Sequence, residues 1–141
     1  VTSANAAELW KTNRKRNSIM FELDIRREFS AAHQLKGYNG DCSNLHGHNW
    51  TVEVFIRSEH LDEVGIALDF KVLKKELDVI LAGLDHKFLN EHEEFRTKNP
   101  TSENIAMYIY KTLSAKINTE TVKVSKVRVC ESASSGATYF E

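Results

Sequence analysis

The chain has 141 residues, of which 41% are hydrophobic and 28% are charged, and its formal net charge is −1 at pH 7. This length accommodates one domain with a modest core and is too short for two. A near-neutral chain lacks the overall basic charge typical of nucleic-acid-binding proteins, so we expect no nucleic-acid partner.

Membrane insertion and secretion are also unsupported by the sequence. No stretch approaches the ~20 consecutive apolar residues that span a bilayer. The first residues lack the apolar run of a secretory signal. Two cysteines, Cys42 and Cys130, are too few for a disulfide scaffold and suit a reducing compartment. We therefore expect a cytoplasmic protein with no membrane partner.

Residues 1–19 differ from the rest of the chain in charge and in pattern. They show no strong apolar period. Their charged side chains are four bases and one acid, a net of +3: Lys11, Arg14, Lys15, Arg16 and Glu8. The sequence predicts that residues 1–19 form an N-terminal extension or expression leader, poorly ordered, and that residues 20–141 form the single domain.

Two strands are predicted in the first part of the domain. Apolar residues of one parity follow Met20, and charged residues of the other parity alternate with them, which is typical of a half-buried strand. Turn-forming residues at 36–41 end this segment. A second strand is predicted from about residue 46 to residue 57. The apolar faces of the two strands are Phe21, Leu23, Ile25, Phe29 and Ala31 in the first, and Trp50, Val52, Val54 and Ile56 in the second.

Two helices and two further strands complete the predicted fold. Asp69 is a plausible N-cap for the first helix, and Thr101 and Ser102 begin the second. Strands are predicted at residues 122–131 and 137–140. The inward helix positions are Leu73, Leu77, Ile80, Leu81 and Leu84, then Ile105, Ile109, Thr112 and Leu113. The order ββααββ predicts an α+β domain, with two helices on one face of an antiparallel four-stranded sheet. Its two uncovered edges favour oligomerisation through strand pairing.

Three histidines have spacing that suits a metal site. His46 and His48 lie two residues apart in a predicted strand, so their rings project from the same face ~6.5–7 Å apart. His33 shares the apolar parity of the first strand and is the candidate third ligand. Three neutral imidazoles with an open fourth position are typical of catalytic zinc. The alternative from spacing alone is that these histidines are core residues whose ring nitrogens are satisfied by hydrogen bonds.

Other polar residues could carry chemistry near such a site. Cys42 lies four residues before His46, where a nearby dication would favour the thiolate; it is a candidate base, a fourth zinc ligand or an inert side chain. Asp85 directly precedes His86 and can orient or charge its ring. Glu131 closes an apolar strand, either as a solvated terminus or as a ligand anchor.

Five stretches, in this order, resemble the tetrahydropterin synthase family over residues 20–141. They are Phe29-Ser30-Ala31-Ala32-His33, Cys42-Ser43-Asn44-Leu45-His46-Gly47-His48, Leu84-Asp85-His86, Asn99-Pro100-Thr101-Ser102-Glu103 and Cys130-Glu131. The resemblance implies a T-fold, in which three subunits pool their strands into a barrel and two barrels stack as a homohexamer. It also implies active sites between subunits.

The same resemblance implies a role for each matching residue. His33, His46 and His48 match the zinc ligands. The other matches are Cys42 as the catalytic cysteine, Asp85 and His86 as the relay contributed across the interface, Glu131 as the anchor of the pterin ring, and Thr101 and Ser102 as further pterin-binding residues.

The spacing between Cys42 and His46 bears on the branch of the family. Three intervening residues resemble the bacterial 6-carboxytetrahydropterin synthases of queuosine biosynthesis, which implies conversion of 7,8-dihydroneopterin triphosphate with release of triphosphate and acetaldehyde. The first alternative is a 6-pyruvoyl-tetrahydropterin synthase, which only eliminates triphosphate. Alternatives of other classes are a zinc hydrolase and a non-catalytic pterin- or metal-binding oligomer.

Overall fold

The computed structural model describes residues 20–141, and the predicted N-terminal extension lies outside them. Five strands and two helices make up this part of the chain. In chain order they are β1 (Phe21–His33), β2 (His46–Ser58), α1 (Phe70–Ala82), β3 (Lys87–Phe88), α2 (Ser102–Ile117), β4 (Val122–Ser132) and β5 (Ser135–Tyr139). The predicted α+β class is therefore confirmed.

The strands form one sheet in the order β3-β1-β2-β4-β5. β1 and β2 pair antiparallel along 13 residues, from Phe21 opposite Ser58 to His33 opposite His46, without a register shift. β4 and β5 continue the antiparallel order, with register shifts at Phe55/Ile56 and near Cys130. Because the β1–β2 register is unbroken, the last residue of β1 and the first residue of β2 lie side by side at the same end of the sheet.

The prediction of four antiparallel strands missed β3. This two-residue strand pairs parallel with β1 at Ala31 and Ala32. Two residues are too few for an alternating apolar pattern, which needs at least four. β3 matters for the site because it fixes the residues just before it, Asp85 and His86, against the end of β1.

Both helices cover one face of the sheet, as predicted. Asp69 caps α1 by accepting a hydrogen bond from the Lys71 amide, 2.8 Å away. The inward positions of α1 and of α2 are buried, except that Thr112 is only half-buried. They pack on alternate residues of the sheet, among them Ile25, Phe29, Trp50, Val52, Val54, Ile56, Val127 and Val129. The opposite face carries ion pairs instead, such as Glu22 with Arg57 and Glu53 with Arg128.

Leu77→Ala should lower the free energy of unfolding by about 2–5 kcal/mol, because it opens a cavity in the core. Leu77 is 0% exposed in the middle of α1. Urea denaturation followed by circular dichroism measures the change. The matched control is Val79→Ala on the same helix, where the side chain is 56% exposed and the expected change is below about 0.5 kcal/mol. Equal losses in both variants would contradict the packing described above.

The two edges of the sheet are formed differently: the short strand β3 covers part of β1 at one edge, and β5 is the other edge. Among the described residues, β3 contacts β1 only at Ala31 and Ala32, so the earlier part of β1 is open on the side away from β2. Open edges of this length can pair with strands of another chain. Between residues 20 and 141, no helix is long and apolar enough to cross a membrane.

Candidate functional site

Three histidine side chains converge at the end of the sheet. His33 ends β1 and lies opposite His46, which begins β2, and His48 follows on the same face. One potential ligand atom from each residue lies within 4.8 Å of the other two. The predicted convergence of three imidazoles is therefore present, and the group could hold a metal ion.

Hydrogen bonds from the Nδ1 atoms of His33 and His46 to backbone carbonyls orient these two rings so that their Nε2 atoms face the centre of the cluster. His33 Nδ1 lies 2.8 Å from the Pro100 carbonyl oxygen, and His46 Nδ1 lies 2.7 Å from the Asn44 carbonyl oxygen. A carbonyl only accepts, so each Nδ1 carries the proton and each Nε2 of a neutral ring has a free lone pair. The two Nε2 atoms are 3.0 Å apart, close to the ~3.3 Å between neighbouring nitrogens on tetrahedral zinc. Two facing lone pairs suit a shared cation.

The third ring leaves a nitrogen without a partner. His48 Nε2 is buried and makes no hydrogen bond with the described residues; the Glu131 carboxylate is 3.9 Å away, beyond hydrogen-bond distance. Desolvation lowers the pKa of His48, and it also lowers the pKa of His33. Both rings are therefore neutral near pH 7, which is the form that coordinates metals. An unpaired buried ring nitrogen beside two others fits a metal ligand set.

Trp50 packs against the rings of His33 and His48. Its ring contacts His33 and His48 edge-on, with centroids 4.9 and 5.0 Å apart. Trp50 Nε1–H donates to the Ala31 carbonyl at 3.2 Å, and the ring is fully buried and stacked with Phe29. Because the Trp50 ring is fixed in this way, it limits rotation of the His33 and His48 imidazoles. The sequence had indicated Trp50 only as a core residue.

Cys42 lies in a short 3-10 turn, Asp41–Ser43, between β1 and β2. Its side chain is half-buried, and its carbonyl accepts a hydrogen bond from the Leu35 amide at 3.0 Å. Cys42 is not one of the residues whose ligand atoms cluster within 4.8 Å. Among the alternatives for Cys42, the fourth-ligand interpretation therefore has no support from the geometry.

Asp85 and His86 form a hydrogen-bonded pair at the edge of the sheet. Asp85 Oδ1 accepts from the Ser30 amide at 2.9 Å, and Asp85 Oδ2 lies 2.9 Å from His86 Nδ1. The Ser30 hydrogen bond, followed by the bond from His86, lowers the pKa of Asp85. His86 has a positive φ of 55° and donates its own amide to the Ser30 carbonyl. The carboxylate is thus held in place and orients the ring.

His86 does not join the three histidines in this chain. Its side chain is 82% exposed and borders an open cleft of about 520 Å³. Ser30, Ala32, Gly47 and Asn49, which have the parity of the helix-free face, also line this cleft, together with Ala31 and His48 of the opposite parity. The three imidazoles project from the opposite parity. His86 is therefore an exposed residue beside the cleft and is not one of the residues whose ligand atoms cluster.

The residues predicted to bind a pterin border the histidine cluster. Glu131 lies near the end of β4 beside His48. Thr101 is the N-cap of α2, and its hydroxyl accepts from the Asn104 amide at 3.2 Å. Ser102 is the first helical residue, and both follow Pro100, whose carbonyl holds His33. Glu131, Thr101 and Ser102 are half-buried.

Sequence reasoning missed two asparagines near the site. Asn90 and Asn99 each make two hydrogen bonds to the backbone that follows His33. Asn99 belongs to one of the five motif stretches, which was a signal for its importance, but only Thr101 and Ser102 of that stretch were singled out. Asn90 had no such signal.

Comparisons with known proteins agree with this arrangement. A family model described as 6-pyruvoyl tetrahydropterin synthase matches residues 22–141. The chain is 40% identical over 124 residues to the 6-carboxy-5,6,7,8-tetrahydropterin synthase of Synechocystis sp., covering 82% of this chain and 92% of that protein. It is 37% identical over 114 residues to the Bacillus subtilis protein of the same name, covering 77% of this chain and 76% of the relative. The solved 6-pyruvoyl tetrahydropterin synthase of Caenorhabditis elegans has a TM-score of 0.79 at 30% identity, covering 87% of this chain and 96% of that one. The fold that the resemblance implied for the single chain is confirmed, whereas the barrel of three subunits and the homohexamer stay predictions.

Proposed function

Because the chain belongs to the 6-pyruvoyl tetrahydropterin synthase family, we propose that it is a zinc-dependent 6-carboxy-5,6,7,8-tetrahydropterin synthase. The observation that carries the zinc assignment is the cluster of three imidazoles, in which His33 and His46 bind carbonyl oxygens through Nδ1 and direct Nε2 at each other, and His48 Nε2 has no partner among the described residues. The names of the Synechocystis and Bacillus relatives favour the carboxy product. So does the three-residue spacing between Cys42 and His46.

The proposed reaction converts 7,8-dihydroneopterin triphosphate to 6-carboxytetrahydropterin, a step of queuosine (7-deazapurine) biosynthesis, with release of triphosphate and acetaldehyde. The enzyme would then be a lyase of carbon–oxygen and carbon–carbon bonds. His33, His46 and His48 would hold the zinc ion, which would supply Lewis acidity toward oxygens of the substrate side chain. Cys42, as thiolate, takes the proton from the side-chain carbon, and His86, oriented by Asp85, delivers a proton to the substrate.

A homohexamer in which subunits share each site is part of the proposal. The His86 side chain is 82% exposed and does not belong to the histidine cluster of its own chain, and the β1 and β5 edges are open among the described residues. Pairing of these edges would close a barrel of three subunits, and two barrels would stack. In that assembly the Asp85–His86 pair of one subunit would complete the site of its neighbour. We also propose a cytoplasmic location, in keeping with two free thiols.

Glu131→Gln is expected to raise the KM for the pterin substrate roughly 10- to 100-fold, because a charge-assisted hydrogen bond contributes about 1.5–3 kcal/mol. In this proposal the Glu131 carboxylate accepts from the amino and N–H groups of the pterin ring. Steady-state kinetics measure KM, and bound zinc should stay at one ion per chain. The control is Glu120→Gln, an exposed acid in the α2–β4 loop, with unchanged KM. An unchanged KM in Glu131→Gln would remove Glu131 from the pterin site.

Mass spectrometry of the products formed from 7,8-dihydroneopterin triphosphate tests the proposed function. Appearance of 6-carboxytetrahydropterin together with acetaldehyde supports it. A pyruvoyl product without acetaldehyde would instead assign the pyruvoyl activity, which the similarity to the nematode structure favours. Zinc-loaded protein that binds the substrate but leaves it unchanged would indicate a non-catalytic pterin-binding oligomer.

A further inference from the structure

Asn99 binds the backbone of one residue in the segment between β1 and Cys42. Its Oδ1 accepts from the Lys36 amide at 2.9 Å, and its Nδ2 donates to the Lys36 carbonyl at 2.9 Å. An asparagine side chain presents one acceptor and one donor side by side, as the edge of a neighbouring strand does. Asn99 therefore extends strand-like hydrogen bonding to Lys36, three residues beyond His33, the last paired residue of β1.

Asn90 makes the same pair of bonds one step earlier. Its Oδ1 accepts from the Gln34 amide at 2.9 Å, and its Nδ2 donates to the Gln34 carbonyl at 2.8 Å. Backbone groups of residues two apart in an extended chain face the same side. Gln34 and Lys36 thus present one continuous edge, and an asparagine occupies each position along it.

The residue that follows Asn99 also forms a hydrogen bond with His33, a candidate metal ligand. The carbonyl of the next residue, Pro100, accepts from His33 Nδ1 at 2.8 Å. The Asn99 carbonyl in turn accepts from Asn104 Nδ2 at 2.8 Å and from the Thr101 amide at 2.9 Å, at the start of α2. One dipeptide anchored to a helix therefore fixes both the ring of His33 and the chain that leads away from it.

Asn90 and Asn99 together clamp the backbone of residues 34–36, and this clamped segment contacts the turn that carries Cys42. Leu35, between the two clamped residues, donates its amide to the Cys42 carbonyl at 3.0 Å. Alternate residues of the segment thus bind the asparagines on one side and the turn of Cys42 on the other. We propose that Asn90 and Asn99 are positioning residues that set the location of Cys42 relative to the histidine cluster. This inference rests on the proposed role of Cys42 as the base.

Hydrogen exchange tests the clamp without any pterin reaction. In zinc-loaded Asn99→Ala, the Lys36 and Leu35 amides should exchange at least 10-fold faster than in the wild type, because the Lys36 amide loses its acceptor and the segment loosens. Asn99→Asp is the milder variant: it keeps the acceptor but sets an oxygen against the Lys36 carbonyl. The matched control is Asn118→Ala at the far end of α2, which removes a similar bond that the Val124 amide donates to Asn118 Oδ1 at 2.8 Å.

Kinetics then separate positioning from general loss of stability. Asn99→Ala should lower kcat about 10²-fold, the effect of a displacement of roughly 1 Å, with KM within a few-fold and zinc still at one ion per chain. Asn118→Ala should keep the wild-type kcat. In a Cys42→Ala background, adding Asn99→Ala should cause no further loss, because both changes act through one group.

Unchanged exchange of residues 34–36 in both Asn99 variants would overturn the clamp. Equal kcat in Asn99→Ala and Asn118→Ala, or additive losses in the double variant, would overturn its link to Cys42. If the wild-type protein forms no pterin product, the proposed function fails while the exchange result still decides the clamp. In that case the alkylation rate of Cys42 by iodoacetamide, with Cys130 as internal reference, replaces kcat. An Asn99→Ala rate equal to that of Asn118→Ala would then refute the link.

Discussion

Cys42→Ala is expected to lower turnover of the pterin substrate by about 10²–10⁴-fold, the usual contribution of a positioned acid or base. Bound zinc should stay at one ion per chain, because Cys42 is not part of the ligand cluster. Alanine cannot accept the proton from the substrate side chain, whereas the three imidazoles are untouched. Product formation by mass spectrometry and zinc content by atomic absorption, measured on the same preparation, give both quantities.

The chain supplies a matched control for this change in its second free thiol. Cys130 is half-buried like Cys42 but lies on β4, with a side chain that contacts Gly136 of β5. Cys130→Ala should therefore keep both zinc and turnover. Full activity in Cys42→Ala would remove the thiol from the mechanism, and loss of zinc in that variant would make Cys42 a ligand after all.

His48→Ala is expected to reduce bound zinc from one ion per chain to below about 0.1 after dialysis against a chelator, and to abolish product formation. His48 is the ring whose Nε2 is buried without a partner, so an ion would satisfy an atom that is otherwise unpaired. Its removal leaves two ligands, fewer than the three that catalytic zinc sites retain. Added zinc should restore activity to a metal-stripped wild type and not to this variant.

His60→Ala is the control for His48→Ala. His60 is exposed and follows the end of β2 that lies opposite the histidine cluster. Among residues 20–141, its hydrogen bonds are those of its amide and carbonyl with Ser58 Oγ. Zinc content and activity should both match the wild type. A stoichiometric ion in His48→Ala, with His60→Ala unchanged, would show that the metal binds elsewhere or needs only two of the histidines.

The regular elements and the candidate metal ligands were predictable because they follow simple periods. Alternation in β1 and β2 placed Trp50 and the three histidines on one face, and a period near 3.6 residues placed Leu73 and Leu77 inward. A cap residue, Asp69, marked the start of α1. These features depend on neighbours in the sequence, which a single sequence contains.

The remaining features depend on contacts between distant segments. β3 has two residues and exists because Ala31 and Ala32 are available to pair with it. The face to which His86 points depends on its left-handed backbone conformation, which is uncommon outside glycine and leaves no pattern in the neighbouring sequence. Asn90 and Asn99 act on residues 56 and 63 positions away, so no local pattern could reveal their bonds.

The uninterrupted register between β1 and β2 restricts how this protein can change in length. Side chains alternate between faces, so inserting or deleting one residue next to His33 or His48 would turn an imidazole toward the helix-free face. Such a change would dismantle the ligand set even if the strand survived. Tolerated variation in length near the site should therefore fall between Lys36 and Cys42, where residues can be gained or lost without reversing the orientation of any histidine or removing the hydrogen bonds of residues 34–36.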